Sequence, residues 1–153
     1  MNFFHLIVEF IVAFLSTLGF GLISNVPRRT IPYACLTGAT AWIVYTLLEG
    51  DGHDVILSNF FAALTIGLLG NFFAIKIKVP VNMIYLPSLI SLVPGSIIYL
   101  GMKNFTSGNT LIASTDLFKV IQIALALAVG FVFAEVLFTY LRKVYQKALT
   151  IKK

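Results

Sequence analysis

Five apolar segments, each about as long as a bilayer is thick, occupy most of the chain. They cover roughly residues 3–23, 31–48, 55–75, 82–101 and 117–141. A membrane-spanning helix needs about 20 largely apolar residues. Only 11% of the residues are charged and 59% are hydrophobic, whereas a soluble domain carries about 25% charged residues. We therefore predict an all-α integral membrane protein with five transmembrane helices. It would form a single transmembrane domain over residues 1–153 and lie in the lipid bilayer of the cell membrane as a multi-pass protein.

The charged residues of the connectors predict the orientation of these spans. Basic residues near the ends of spans stay on the cytoplasmic side. In a five-span chain, most of the basic residues fall on one side: Arg28, Arg29, Lys76, Lys78, Arg142, Lys143, Lys147, Lys152 and Lys153. The acidic connector residues fall on the other side: Glu49, Asp51, Asp54 and Asp116. We therefore expect an outside N-terminus and a cytoplasmic C-terminus. Because this asymmetry explains the net charge of +5, we expect no nucleic-acid partner.

The fourth span carries Pro87, Pro94 and Gly95 in its interior. A proline removes one backbone N–H and clashes with the carbonyl four residues back, and in hydrocarbon the freed carbonyl finds no water. We therefore predict a helix that is broken at Pro94-Gly95. Two interpretations of the break are open. It is either a kink shielded by neighbouring helices or part of a substrate site, as in transporters with discontinuous helices.

A substrate site at the break would suit a zwitterion. The helix after the break would present its N-terminal N–H groups to a carboxylate, while the freed carbonyls before it would suit an ammonium group. The hydroxyls of nearby serines could bind a small polar substrate. The candidate substrate-binding residues are Ser91, Pro94, Gly95 and Ser96, together with Thr37 and Asn71 from neighbouring spans.

Two glutamates inside spans are candidates for proton coupling, since an acid within a span is costly and functional by default. Glu9 follows His5 by four residues, which places both on one face of a helix. The alternative is that both snorkel to interfacial water. Glu135 lies in the fifth span, shortly before Arg142 and Lys143. The alternative for Glu135 is an ion pair with a basic residue at the inner surface.

Small residues recur four apart in the third span, as Ala63 with Gly67 and Gly70 with Ala74. The fifth span repeats the small pattern up to Gly130. Such spacing predicts faces on which helices pack closely. Tyr85, near a predicted span end, is typical of an interfacial aromatic belt.

The sequence favours a protein that is not an enzyme. It contains neither the H-E-x-x-H motif of zinc proteases nor the G-x-S-x-G motif of serine hydrolases. No set of His, Asp and Ser clusters in the middle of a span. We accordingly expect no cofactor and no metal site.

Three features resemble the threonine/serine exporter family in its small five-span subunit form. They are Asn25-x-Pro27 at the end of the first span, the small-residue second span, and residues 92–99 around the Pro-Gly pair. The resemblance covers roughly residues 10–140. It implies proton-driven export of threonine and serine, and a larger partner subunit with five spans of its own and a cytoplasmic domain. The alternative is a non-transporting subunit that assembles or stabilises a partner membrane protein. A homo-oligomer is also open.

Overall fold

The computed structural model describes the backbone of residues 3–151 and the side chains of residues 4–144. Lys152, Lys153 and the side chain of Lys147 lie outside this part. Every regular element within it is a helix, so the predicted all-α fold is confirmed. The helices are α1 (Phe3–Ile23), α2 (Ile31–Gly50), α3 (Val55–Ile77), α4 (Asn82–Leu89), α5 (Gly95–Thr106) and α6 (Thr110–Ile151).

Four of these helices are long and apolar enough to cross a membrane: α1, α2, α3 and the Thr110–Val144 part of α6. They contain the first, second, third and fifth predicted spans. At 1.5 Å per residue, the 42 residues of α6 extend over about 63 Å. This is roughly twice the ~30 Å of a hydrocarbon core. The helix is therefore longer at both ends than the predicted span 117–141.

The fourth predicted span forms two helices rather than one. Helix α4 ends at Leu89 and α5 begins at Gly95. Pro94 precedes α5 with a ψ of 52°, outside the helical range. The predicted break at Pro94-Gly95 is thus present, and it is wider than predicted because α4 ends several residues before Pro94. Neither short helix is long enough to cross a membrane alone, so a fifth crossing stays a prediction.

Helices α3 and α6 pack closely and run in the same direction. A Cβ atom on Gly130 of α6 would lie 2.6 Å from the carbonyl oxygen of Phe60 and 2.8 Å from Cβ of Ala63. One turn further along both helices, Gly67 packs directly against Ala134. The predicted close-packing face of α3 is therefore confirmed. Because α3 and α6 are parallel, α4 and α5 together carry the chain back along the bundle.

Helix α2 packs against α1, α3 and α4. A Cβ atom on Gly38 would lie 2.5 Å from Oγ1 of Thr17 in α1 and 3.2 Å from Cα of Ser88 in α4. The buried Ser88 hydroxyl lies 2.9 Å from the carbonyl oxygen of Ala34, to which it can donate across the α2–α4 contact. Helix α5 packs on α6. In the broken segment, α4 therefore packs mainly on α2, and α5 packs on α6.

The two ends of the bundle differ in charge. The α1–α2 turn, the end of α3 and the later part of α6 share one end, which we call the basic end. It carries Arg28, Arg29, Lys76, Lys78, Arg142 and Lys143. The opposite end, which we call the acidic end, carries Glu49, Asp51, Asp54 and Asp116. Which end faces the cytoplasm stays a prediction.

Candidate functional site

A cavity of about 130 Å³ lies beside the break between α4 and α5. At ~30 Å³ for each water molecule in the liquid, it has room for about four waters or one small solute. We call it the break cavity. Its polar lining comes from the broken segment, α2 and α3, namely Ser91, Ser96, Trp42, Tyr45 and Asn59, and Pro94 is part of the wall.

The hydroxyl of Ser91 is the most unusual group in this cavity. Its Oγ is buried and has no hydrogen-bond partner among the described residues. An unsatisfied buried polar group costs about 1–3 kcal/mol. The first turn of α5 adjoins the same cavity through Ser96 and Ile97, and the first N–H groups of a helix have no partner within it. The break cavity is therefore lined by the residue that carries a buried, unpaired hydroxyl and adjoins a partly positive helix N-terminus.

The structure brings together only some of the candidate substrate-binding residues. Ser91, Pro94 and Ser96 line the break cavity. Gly95 is exposed beside them, and a Cβ atom there would meet no atom within 4 Å. Thr37 is fully buried and donates to the carbonyl oxygen of Tyr33 at 2.8 Å. It does not line the break cavity.

Glu9 is held by a residue on another helix. Nε1 of Trp42 donates to Oε2 of Glu9 at 2.6 Å, and Nε2 of His5 lies 3.7 Å from Oε1. The Glu9 side chain is 28% exposed, against 59% for His5. Since Trp42 also lines the break cavity, one side chain connects this carboxylate to the cavity. Sequence reasoning missed this role of Trp42, because nothing in the sequence indicates which face of α2 meets α1.

A second cavity, of about 570 Å³, lies at the basic end, between α3 and α6. We call it the basic-end cavity. Its volume is within the ~300–1,000 Å³ range of small-molecule sites. Its polar lining consists of Asn71, Lys78, Glu135, Thr139, Arg142 and Lys143. Asn71 and Glu135, which the sequence singled out separately, therefore belong to one site.

Glu135 is fixed by neutral groups rather than by cations. Nδ2 of Asn71 donates to Oε2 of Glu135 at 2.9 Å and to the hydroxyl of Tyr85 at 2.6 Å. The Tyr85 hydroxyl lies 3.0 Å from the carbonyl oxygen of Gly67 and 3.4 Å from Oε2 of Glu135. Among residues 4–144, the one ion pair within salt-bridge distance is His5–Glu9. The alternative of an ion pair for Glu135 is therefore not observed among the described side chains.

Tyr85 is half-buried against α3 and α6, and its place in an interfacial aromatic belt stays a prediction. Its ring packs on Phe131 with 5.2 Å between the ring centroids. On its other side, the ring lies where a side chain at Gly70 would be, since a Cβ there would approach it to 2.5 Å. Gly70 therefore makes room for the hydroxyl that bonds to Asn71. The sequence indicated that Gly70 belongs to a close-packing face, but it did not indicate that Tyr85 packs there.

An apolar layer separates the two cavities. Its buried side chains come from four elements and include Ile66, Leu92, Ile123 and Leu127. Along α3, about 18 Å of helix at 1.5 Å per residue separates Asn59 in the break cavity from Asn71 in the basic-end cavity. Within the described residues, no group of three His, Cys, Asp or Glu side chains could hold a metal ion.

Comparison with known proteins agrees with the resemblance noted in the sequence. Residues 9–137 match the family described as "Threonine/Serine exporter, ThrE". A Haemophilus influenzae protein, described as "Uncharacterized protein", is 26% identical over 97 residues, which are 63% of this chain and 33% of that protein. The chain thus spans about a third of the length of this relative. No solved structure gives a significant match. Because the family match extends from α1 into α6, this chain belongs to the threonine/serine exporter family.

Proposed function

We propose that this multi-pass membrane protein is a subunit of a proton-coupled secondary exporter of threonine and serine, and that it works with a larger subunit that has five spans of its own. Family membership supports amino-acid export as the class of function. The observation that carries the proposed site is the unpartnered hydroxyl of Ser91 beside the N-terminus of α5.

In this proposal the break cavity binds the amino acid as a zwitterion. The first turn of α5 binds the carboxylate, since a helix N-terminus attracts anions. Carbonyl groups of the broken segment bind the ammonium group. The hydroxyls of Ser91 and Ser96 bind the side-chain hydroxyl that threonine and serine share. Thr37 would first have to release its bond to Tyr33, whereas Asn71 would contact the substrate in the basic-end cavity.

Glu9 and Glu135 are the proposed proton carriers, one at each cavity. Protonation of Glu9 would weaken its bond from Trp42, because a hydrogen bond to a charged acceptor is the stronger one. Since Trp42 forms part of the cavity wall, such a change would alter the binding of a substrate there. Glu135 would act in the same way on Asn71 and Tyr85.

We further propose that α4 and α5 together make a fifth crossing, with the N-terminus outside and the basic end in the cytoplasm. The parallel packing of α3 and α6 supports this arrangement, since parallel neighbours need one return crossing between them. The concentration of basic residues at one end supports the orientation. An exporter would then load substrate at the basic end and release it beyond the break cavity.

A larger partner subunit is part of the proposal because the broken segment is not fully enclosed. Gly95 and Ser96 are exposed on the surface of this chain, although they adjoin the proposed site. A partner that covers them would complete the cavity wall. The resemblance to the small subunit form supports the same partner.

The direct test is threonine and serine efflux from cells that express this chain alone, a five-span candidate partner alone, or both. We expect efflux from the pair, and a loss of efflux when the proton gradient is collapsed. Efflux that is the same with and without this chain would contradict the proposal. The double variant Pro94→Ala with Gly95→Ala removes the residues that break the helix. Efflux from this variant tests whether transport needs the break.

The alternative is a subunit that only assembles or stabilises a partner. Its main support was the small-residue faces, but Gly67 and Gly130 already pack within this chain. Loss of efflux in the double variant, with an intact complex, favours the transport role. Unchanged efflux in that variant would remove the break cavity from the mechanism.

A further inference from the structure

The basic-end cavity contains charges of both signs that do not pair with each other. Glu135 lines it together with Lys78, Arg142 and Lys143. Among the described side chains, none of these cations lies within salt-bridge distance of the Glu135 carboxylate. Opposite charges attract, and spacing on α6 is one cause of their separation, since Arg142 and Lys143 lie about two helical turns beyond Glu135.

Part of the cause is the way Glu135 is held. Asn71 and Tyr85 both approach its Oε2 atom, at 2.9 Å and 3.4 Å. Tyr85 is itself fixed by Gly67, whose carbonyl oxygen lies 3.0 Å from its hydroxyl. Asn71 therefore orients the carboxylate without neutralising it, and the Tyr85 hydroxyl, whose one hydrogen can go to either Gly67 or Glu135, lies beside it. Its negative charge therefore stays available to a cation that enters the cavity.

Lys78 is held in an unusual backbone conformation. It follows the last residue of α3 in the left-handed region, with φ 55° and ψ 54°. Glycine or asparagine usually occupies this position, because most other side chains strain the backbone there. A cation at this helix end does interact well with the helix dipole. Lys76 in the last turn provides such a cation as well, so Lys78 adds a second positive charge at the same helix end, beside the cavity.

We propose that the basic-end cavity is a second binding subsite, for a free α-amino acid. The ammonium group of the ligand binds Glu135, and its carboxylate binds Lys78 and Arg142. This inference rests on the proposed function, which it deepens by giving the substrate a place to bind before it reaches the break cavity. A carboxylate that holds an ammonium group cannot hold a proton at the same time, which agrees with the coupling role proposed for Glu135.

The lining favours a zwitterion over a simple ion. Three basic side chains against one carboxylate repel an inorganic cation, and an inorganic anion would leave the Glu135 carboxylate without a partner. Apolar residues such as Ile75, Val79 and Phe138 also line the cavity and can contact the methyl group of threonine. The apolar layer at Ile66 separates this subsite from the break cavity, so the two are distinct binding places.

The test uses a thiol introduced at Thr139, which is exposed and lines the basic-end cavity. The native Cys35 is fully buried, and the unmodified chain measures its background labelling. The full-length Thr139→Cys chain in membrane vesicles is treated with a thiol reagent, with and without L-threonine. Because all proposed contacts lie within this chain, we expect threonine to slow labelling even without a partner. An unchanged labelling rate would overturn the inference.

Three analogues test the class of ligand. Threonine methyl ester lacks the carboxylate, N-acetylthreonine lacks the ammonium group, and inorganic phosphate provides only negative charge. We expect each of them to protect the Thr139→Cys thiol at least tenfold less well than threonine, since each loses one charge-assisted contact. Equal protection by phosphate would overturn the zwitterion assignment in favour of an anion site.

Charge variants in the Thr139→Cys background test the residues. Glu135→Gln keeps an oxygen for Asn71, and Lys78→Asn suits the left-handed backbone, so both variants should fold. We expect each to raise the threonine concentration for half protection about tenfold. Lys76→Gln, which removes a cation from the same helix end outside the cavity, is the matched control. Equal effects of Lys76→Gln and Lys78→Asn would contradict the subsite.

Labelling and efflux together distinguish failure of this subsite from failure of the proposed export function. Protection by threonine without efflux in any subunit combination would support this subsite and contradict export. Efflux without protection, unchanged by Glu135→Gln and Lys78→Asn, would support export and overturn the subsite.

Discussion

Nε1 of Trp42 donates a 2.6 Å hydrogen bond to Oε2 of Glu9, and the same indole forms part of the break-cavity wall. An acid in an apolar helix is thereby joined to the proposed substrate site through one side chain. Glu9 can therefore act in two ways, through the charge of its carboxylate and through its hydrogen bond to Trp42. Each can be changed without the other.

We predict that Glu9→Gln weakens the response of efflux to the proton gradient while the protein stays folded. Glutamine still accepts the bond from Trp42 but cannot exchange a proton. Efflux should be measured in proteoliposomes with the partner present and with an imposed pH gradient. Glu9→Gln efflux that still follows the gradient would remove Glu9 from the coupling. His5→Gln, which changes an exposed side chain 3.7 Å away, is the control and should have the smaller effect.

Trp42→Phe should lower both stability and efflux. It keeps an aromatic ring but leaves the Glu9 carboxylate without its donor, which costs about 1–3 kcal/mol. Thermal unfolding in detergent gives the stability change. Combined with Glu9→Gln, the two changes should be clearly non-additive, as expected for residues in contact. Additive effects would show that the bond carries no energy of its own.

Ser91→Ala should stabilise the chain and weaken export. It removes a buried hydroxyl that has no partner among the described residues, so stability should rise by up to about 1 kcal/mol. The matched control is Ser88→Ala, three residues earlier. The Ser88 hydroxyl can donate its one hydrogen to the carbonyl oxygen of either Ala34 or Ile84, so its loss should cost about 1 kcal/mol with little effect on efflux. The Ser91 assignment fails if the two alanine variants have stability changes of the same sign.

Gly130→Ala should destabilise the α3–α6 contact by about 1–3 kcal/mol, the usual cost of overpacking. The new methyl group would lie 2.6 Å from the carbonyl oxygen of Phe60, and a backbone atom cannot move aside easily. Gly19→Ala in α1 is the control, since a Cβ there meets no atom within 4 Å. Unfolding temperatures of the two variants in the same detergent decide the matter. Equal temperatures would contradict the close packing of α3 on α6.

Tyr85→Phe should weaken the basic-end network without changing the packing of the ring. Asn71 and Gly67 each lose a hydrogen-bond partner, at a cost of about 0.5–1.5 kcal/mol per bond. Tyr99→Phe is the control, because Tyr99 is 68% exposed and a surface change usually stays within about 0.5 kcal/mol. The unfolding free energies should therefore differ, and equal values would argue against the network.

The sequence was sufficient to predict the helices and the break. A polar backbone in hydrocarbon has to bond within its own segment, so long apolar runs become helices whatever they pack against. Pro94 removes a donor wherever its helix lies. The sequence did not indicate that α4 ends already at Leu89.

The residues of the cavities were only partly predictable. Ser91, Pro94 and Ser96 were found together because they are close in sequence. Glu9 and Trp42 are 33 positions apart, and Asn71 and Glu135 are 64 apart. An unpaired glutamate signals that a partner is needed, but many donors in other spans could provide it.

The sequence by itself determined that this chain is a helical membrane protein, which residues interrupt its fourth apolar segment, and which family it resembles. These properties follow from local chemistry, namely hydrophobicity, missing N–H groups and short motifs. Only the tertiary structure decided that Glu9 bonds to Trp42, that Glu135 avoids the nearby cations, and that two cavities lie about 18 Å apart along α3. Those facts depend on the rotation and direction of each helix against its neighbours, which small residues such as Gly67 and Gly130 set through contacts between distant parts of the chain.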